Sequence, residues 1–319
     1  MIMATNQRQD RHRSAGREDV IAVRGLEKRY GDRVVLRGVD LTVTRGEVLC
    51  ILGPNGAGKT TTVEILEGLR TADDGVVRVL GFDPAEHAKA LRERTGVVLQ
   101  DCGFPNRYRV RELIDTWRHY FPTPKPLDEL LELVELQDEA DRLVRQLSGG
   151  QRRRLDFALA LAGDPELLFL DEPTTGFDPE ARQRCWTAID NLRALEKTIL
   201  LTTHYLEEAE RLADRVAILS RGRVHAVGSP GEVAKDAGGR TRITFRIGDR
   251  ARDLLAGAPV PIRMAGQWAT AETTDAATTL RALLTWADDA NIALDDLSVE
   301  PARLEDVYLQ LVHDDAETA

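Results

Sequence analysis

A glycine-rich segment at residues 53–60 carries a pattern that suits phosphate binding, G-x-x-x-x-G-K-T. It follows an apolar run at 48–52 and precedes a helical pattern, which is the context that a phosphate-binding loop (P-loop) requires. Its glycines let successive backbone N–H groups converge on phosphate oxygens, and the helix N-terminus adds partial positive charge. Lys59, expected on a solvent-facing loop, can reach the outer phosphates, and the Thr60 hydroxyl can bind Mg²⁺. The predicted nucleotide-binding residues here are Gly53, Asn55, Gly56, Ala57, Gly58, Lys59, Thr60 and Thr61.

Two adjacent acids, Asp171 and Glu172, follow a second apolar run at 167–170. A carboxylate at this place can hold the Mg²⁺ shell, and the next one can orient or deprotonate a water that attacks the γ-phosphate. Adjacent acids at a strand end are commonly just a solvated terminus, so their functional interpretation depends on the P-loop upstream. Asp171 is therefore a predicted metal ligand and Glu172 the predicted general base.

A second glycine-rich turn, Leu147-Ser148-Gly149-Gly150-Gln151, opens an apolar helix. It is a second phosphate-binding helix terminus in one domain, and one nucleotide cannot easily be reached by both loops of the same chain. With this turn, the sequence from about 20 to 233 resembles the ATP-binding cassette (ABC) family. The resemblance implies that two copies pair head to tail, with each ATP between the P-loop of one copy and Ser148, Gly149, Gly150 and Gln151 of the other.

The resemblance also implies roles for four single residues. Tyr30 would stack on adenine, and Gln100 would reach both Mg²⁺ and the attacking water. Asp178 lies in the loop 176–178, which in the family crosses the dimer interface, and His204 resembles the histidine that contacts the γ-phosphate. The implied catalytic set is Lys59, Gln100, Glu172 and His204, and the implied Mg²⁺ ligands are Thr60, Gln100 and Asp171.

The elements that position these residues follow from apolar patterning. Runs at 48–52, 167–170 and 198–202 predict strands buried on both faces, and they alternate with helical stretches such as 60–69 and 179–195. This order predicts an α/β fold with a parallel core, the P-loop NTPase architecture. Shorter strands at 20–23, 34–36 and 39–43 predict an antiparallel β subdomain, and a helical subdomain is expected at about 101–160.

The chain is predicted to hold three parts. Residues 1–19 are polar and predicted flexible, 20–235 form the nucleotide-binding domain, and 241–313 form a small α+β domain. In that last part the order βαββαβ suggests a ferredoxin-like fold, with a helix at 251–256 and a closing helix from Pro301.

Composition excludes several classes of protein. Lys+Arg 43 against Asp+Glu 53 gives a net charge of -10, which disfavours a nucleic-acid partner. No apolar stretch is long enough to span a bilayer. Three scattered cysteines show neither metal-ligand spacing nor a disulfide framework.

The number of nucleotide-binding motifs in the chain and the interval between them indicate its branch of the family. One P-loop and one such turn, with a short interval between them, disfavour two-cassette translation factors and exclude long coiled-coil ATPases. Stretches 63–70, 79–84 and 304–308 resemble the daunorubicin-resistance type of bacterial drug-exporter ATPase. This resemblance implies a separate integral-membrane permease, location at the cytoplasmic face of the bacterial membrane, and export of hydrophobic small molecules. Relatives exporting polysaccharide-like, peptide or lipid cargo share much of the pattern, and a soluble non-transport ATPase with a regulatory or ribosome-associated role is the alternative.

Overall fold

A computed structural model of the chain describes residues 18–98, 105, 107–247, 255, 257–306 and 308. By its internal contacts the chain divides into two compact units between Val227 and Gly228. The strands of the first unit are β1 (Asp19–Tyr30), β2 (Arg33–Thr44), β3 (Val48–Leu52), β4 (Asp74–Val79), β5 (Thr95–Val98), β6 (Leu167–Asp171), β7 (Thr198–Thr203), β8 (Arg215–Ser220) and β9 (Arg223–Gly228). Its helices are α1 (Lys59–Leu66), α2 (Pro84–Arg92), α3 (Val110–Arg118), α4 (Leu127–Leu133), α5 (Gly149–Ala160), α6 (Pro179–Ala194) and α7 (Leu206–Leu212).

The main sheet has the strand order β5-β6-β7-β3-β8-β9. Strands β5, β6, β7, β3 and β8 run parallel to one another, and every residue of β3, β6 and β7 is buried. The predicted parallel α/β core is therefore confirmed. Because parallel strands end at one edge of the sheet, the residues that follow β3, β6 and β7 meet there.

A smaller antiparallel sheet of order β2-β1-β4 packs its apolar side chains into the core of this unit. The prediction of separate strands at 34–36 and 39–43 was wrong, because β2 runs without a break from Arg33 to Thr44. Gly38, which looks like a turn residue, instead lies inside the strand at φ +78°, opposite a stretch of β1 where the register shifts. Strand β1 begins at Asp19, inside the segment predicted to be flexible, and residues 1–17 lie outside the described part.

Helices α3, α4 and α5, with a 3₁₀ turn at Val144–Gln146, occupy the range where a helical subdomain was predicted. Its apolar side chains, such as those of Ile114, Leu130 and Leu155, are buried. In the described residues no helix has the length and apolar character to cross a membrane.

The second unit begins with α8 (Pro230–Asp236) and contains β10 (Thr241–Arg246), β11 (Ile262–Ala265), β12 (Trp268–Thr273), α9 (Ala276–Asp289) and β13 (Asp295–Glu300). Its sheet is antiparallel, with order β11-β12-β10-β13. The first and third strands are central, and the second and fourth lie at the edges, as in a ferredoxin-like fold. Residues 304–306 are helical, in agreement with the closing helix, while the helix predicted at 251–256 falls almost wholly outside the described residues.

Candidate functional site

The P-loop lies between β3 and α1 and is held by close backbone packing. A Cβ atom on Gly53 would stand 2.1 Å from the Leu219 carbonyl oxygen, so only glycine fits against β8 at this position. Gly58 has φ +108°, and a Cβ there would stand 2.6 Å from Cδ2 of Leu36. The loop conformation therefore depends on glycine at both of these positions. Asn55 and Gly56 between them are exposed, and Ala57 is buried.

Lys59 is the first residue of α1, and its side chain turns back over the P-loop. Its Nζ donates to the carbonyl oxygens of Gly53 at 2.8 Å and Pro54 at 3.2 Å, and it lies 3.2 Å from Oε1 of Glu172. Lys59 is only 4% exposed, so the expectation of a solvent-facing charge was wrong. The reason is that the loop encloses the side chain, a contact that sequence spacing does not reveal.

Thr60 and Asp171 form an oxygen pair at the carboxyl edge of the sheet. The Thr60 hydroxyl donates to Oδ2 of Asp171 at 3.2 Å, and the Thr202 hydroxyl donates to Oδ1 of the same carboxylate. Hydroxyl and carboxylate oxygens are the hard ligands that Mg²⁺ prefers, so this donor set fits a magnesium ion. The next residue of α1, Thr61, is half-buried.

Glu172 follows Asp171 with a left-handed backbone at φ +45°, uncommon for a residue with a side chain. Its N–H is held by Thr202, at 3.1 Å from the carbonyl oxygen and 3.0 Å from the hydroxyl. Oε2 of Glu172 accepts from the Thr175 hydroxyl at 3.1 Å and lies 3.4 Å from Nδ1 of His204. Three predicted catalytic residues, Lys59, Glu172 and His204, thus meet in one cluster.

Burial acts to raise the pKa of the Glu172 carboxyl, but it is outweighed by Lys59, Thr175 and His204, which hold the net pKa below its usual value. Glu172 is therefore ionised at neutral pH. An ionised, largely buried carboxylate at this point can accept a proton from water.

Tyr30 ends β1 in the hairpin that leads to β2, and its ring is 41% exposed. Nζ of Lys28 and the Arg70 guanidinium lie 5.6 and 5.5 Å from the centroid of this ring. Arg33, across the hairpin, has Nη2 4.0 Å from where a Cβ of Gly56 would lie. The hairpin therefore stands beside the P-loop, with an aromatic surface open to solvent.

Ser148, Gly149, Gly150 and Gln151 form the N-terminal turn of α5. Ser148 and Gln151 cap the helix reciprocally, and Nε2 of Gln151 donates to Glu139 at 2.6 Å. These contacts stay within the helical part of the unit and do not include the P-loop. Asp178 caps α6 by accepting from the Ala181 N–H at 2.7 Å. Gln100, predicted to complete the metal site, lies outside the described residues.

Sequence reasoning missed three polar residues that organise this cluster: Thr175, Thr202 and Glu208. Thr202 was assigned only to a buried strand, although its hydroxyl and carbonyl contact both Asp171 and Glu172. Glu208 was overlooked because Glu207-Glu208-Ala209-Glu210 resembles a solvated acidic helix face. The available signal was its spacing of four from buried Leu212, which places both on the inner face of α7.

The sequence is similar to those of known ATP-binding proteins of ABC transporters. The family model described as ABC transporter matches residues 36–175. The daunorubicin resistance ATP-binding protein DrrA3 of Streptomyces coeruleorubidus is 39% identical over 307 residues, covering 93% of this chain and 97% of that protein. The Nod factor export ATP-binding protein I of Cupriavidus pinatubonensis is 39% identical over 301 residues, covering 92% and 90%.

Solved structures with a similar fold come from the same family. An ATP-binding subunit of an ABC transporter superposes with a TM-score of 0.62 at 27% identity, covering 69% of this chain and 93% of the other. The ADP conformation of an ATP-binding cassette gives a TM-score of 0.61 at 26% identity, covering 69% and 94%.

Proposed function

Because the chain belongs to the ABC transporter family, as an ATP-binding and ATP-hydrolysing subunit, we propose that it works as a head-to-tail dimer around two Mg-ATP and drives a separate permease that exports hydrophobic small molecules. The observation that supports this choice is that the resemblance to a daunorubicin resistance protein extends over nearly the whole of both chains. It therefore includes the second unit as well as the nucleotide-binding one.

For the reaction, Lys59 binds the outer phosphates and Glu172 accepts the proton of the attacking water. Thr60 and Asp171 would hold Mg²⁺, which supplies charge neutralisation on the phosphates. His204 and Thr175 orient the Glu172 carboxylate through contacts at 3.4 and 3.1 Å. Tyr30 offers an open aromatic face to the adenine.

For the dimer, the support is that the helix N-terminus at Ser148–Gln151 makes its contacts away from the P-loop of its own chain. A second copy can bring this turn to the phosphates, where its backbone N–H groups bind anionic oxygen. Each catalytic site would then be built from two chains.

For the permease, the support is a cleft of about 650 Å³ in the first unit. It lies between α2, β5, α5 and the segment after α3, and the aromatic side chains of Trp117, Tyr120 and Phe121 line it. Trp117 and Tyr120 are 44% and 75% exposed, which favours a partner that covers them. The wall strand β5 pairs with β6, whose last residue is Asp171, so an apolar permease segment in this cleft would lie one strand away from the strand that carries this acid. The subunit would then sit at the cytoplasmic face of the membrane.

Co-purification from detergent-solubilised membranes tests this proposal. A tagged chain should recover an integral-membrane protein with roughly six helices, and Trp117→Ala should reduce that recovery without changing ATP hydrolysis in solution. Trp268→Ala, at a similarly exposed tryptophan of the second unit, is the matched control. Recovery of ribosomes instead of a membrane protein would support the regulatory alternative.

Substrate class needs a cellular assay. Cells that lack the chain should accumulate a fluorescent hydrophobic drug, and the parental chain, but not Glu172→Gln, should restore efflux. Efflux that is restored equally by both would refute ATP-driven export of such compounds.

A further inference from the structure

Glu208, the third residue of the short helix α7, is a fully buried acid that is 0% exposed. Burying a carboxylate costs free energy unless donors compensate it. Burial raises the pKa of Glu208, while the Thr203, Thr174 and Trp186 donors oppose that rise. The charge of Arg182 also opposes that rise in the pKa of Glu208, and its guanidinium lies 3.8 Å from Glu207 and 4.9 Å from the Tyr205 ring centroid.

One oxygen of this carboxyl group joins three elements. Oε1 accepts from the Thr174 hydroxyl at 3.0 Å and from the indole N–H of Trp186 at 3.2 Å. Thr174 lies in the loop between β6 and α6, and Trp186 lies on α6. All three residues are buried.

Each of these elements carries part of the catalytic cluster. Thr174 is two residues after Glu172 and directly precedes Thr175, whose hydroxyl bonds the Glu172 carboxylate. Helix α7 begins two residues after His204. The link through Glu208 therefore ties the segment that holds the base to the segment that holds the histidine.

We propose that Glu208 is a positioning residue for ATP hydrolysis: its bonds to Thr174 and Trp186 fix the Glu172 loop relative to His204. This inference rests on the proposed catalytic roles of Glu172 and His204. Loss of these bonds should affect turnover more than nucleotide binding, because the bonds of Oε1 go to Thr174 and Trp186 and not to a P-loop residue or to Lys59.

Two substitutions remove one bond each with little loss of volume. Thr174→Val lacks the hydroxyl donor, and Trp186→Phe lacks the indole N–H. Each should lower kcat roughly 10- to 100-fold, as expected when reacting groups are misplaced by about an ångström, with the KM for ATP within about twofold of the parental value. Glu208→Gln keeps an acceptor oxygen and should retain most of the parental kcat, whereas Glu208→Leu should not. Glu207→Gln, on the exposed face of the same helix, is the control.

The measurements are made on the purified full chain, with folded protein quantified by circular dichroism before each assay. If Thr174→Val and Trp186→Phe keep the parental kcat per folded molecule, the proposal is overturned. It is equally overturned if kcat and ATP affinity fall together in all variants, since that pattern marks a purely structural role. Because this assay needs no permease, its failure is distinct from a failure of the export proposal, which only the membrane experiments test.

Discussion

Glu172 owes its ionised state to specific neighbours and not to solvent. Lys59, Thr175 and His204 contact its two carboxylate oxygens, and Thr202 fixes its backbone in the left-handed region. Such over-determined strain is typical of a residue whose placement matters for chemistry.

Glu172→Gln should therefore retain ATP binding while turnover falls roughly 10²–10⁴-fold, the usual contribution of a positioned base. ATP hydrolysis and equilibrium binding of ATP, measured on the same preparation, check this. Glu132→Gln, an exposed acid on α4, is the control. Parental turnover in the glutamine variant would remove Glu172 from the role of base.

Glu67, directly after α1, is a second buried acid, and its pKa is shifted in the opposite direction from that of Glu172. Neither of its carboxyl oxygens has a hydrogen-bond partner among the described residues. Burial, together with Asp171 and Glu64, raises its pKa from 4.5 to about 8. The folded chain thus keeps a proton on Glu67 that the unfolded chain releases above pH 4.5.

The free energy of unfolding should consequently fall as pH rises from about 4.5 to about 8, by an amount on the order of a few kcal/mol. Glu67→Gln should flatten this dependence. Urea unfolding at a series of pH values measures it. In Glu166→Gln the same slope should persist, because Arg94 and Arg45 lower the pKa of Glu166 to about 2, outside the window. An unchanged slope in Glu67→Gln would show that another group titrates.

At the scale of elements, the glycines of the two proposed phosphate-binding turns have different structural needs. A Cβ on Gly53 would stand only 2.1 Å from the Leu219 carbonyl oxygen, whereas a Cβ on Gly149 would meet nothing within 4 Å. Gly53→Ala should destabilise the fold by about 1–3 kcal/mol through overpacking. Gly149→Ala, at the first position of α5, should leave stability unchanged or raise it by up to about 1 kcal/mol.

ATP hydrolysis should nevertheless fall in Gly149→Ala, because the proposed partner nucleotide approaches this turn closely. Thermal unfolding and ATPase assays on both variants separate the two effects. A fully active Gly149→Ala chain would contradict the role of this turn in the dimer.

The prediction of helices and strands succeeded where a strand is completely buried, and it failed for β2, which was predicted as two strands. The strands β3, β6 and β7 are buried throughout and mostly apolar, so their type and limits follow from sequence to within a residue or two. The strands predicted at 34–36 and 39–43 are one strand, because β2 continues through Gly38 in a left-handed conformation. Likewise the P-loop and acidic pair follow from spacing, but the burial of Lys59 and the partners of Glu208 are tertiary contacts that no local pattern encodes.

For the whole molecule, the proposed head-to-tail dimer predicts complementation between two inactive chains. Ser148→Arg keeps its own P-loop, and Lys59→Gln keeps its own Ser148 turn along with an amide that can donate to the carbonyls of the loop. Each variant alone should be inactive. Mixed, they can form one intact site from two chains, so ATPase activity should return and rise with total protein concentration.

The assay varies the mixing ratio at constant total protein, with each variant alone as its control. Activity that stays at background at every ratio, while both variants fold and dimerise, would argue against a site shared in this way.

The central place of β3 also has a consequence for synthesis on the ribosome. Its partners β7 and β8 lie about 150 residues further along the chain, and Gly222 closes the loop by donating to the Ala57 carbonyl oxygen at 3.0 Å. The β1–β2 hairpin can form early, but the P-loop cannot pack against β7 and β8 until residues beyond 222 have left the exit tunnel. During that interval we expect that ATP cannot assist folding and that the apolar strand β3 lacks both of its sheet partners. Stalled nascent chains that end before β7 should therefore fail to retain ATP, and those extended past β8 should acquire it in a single step.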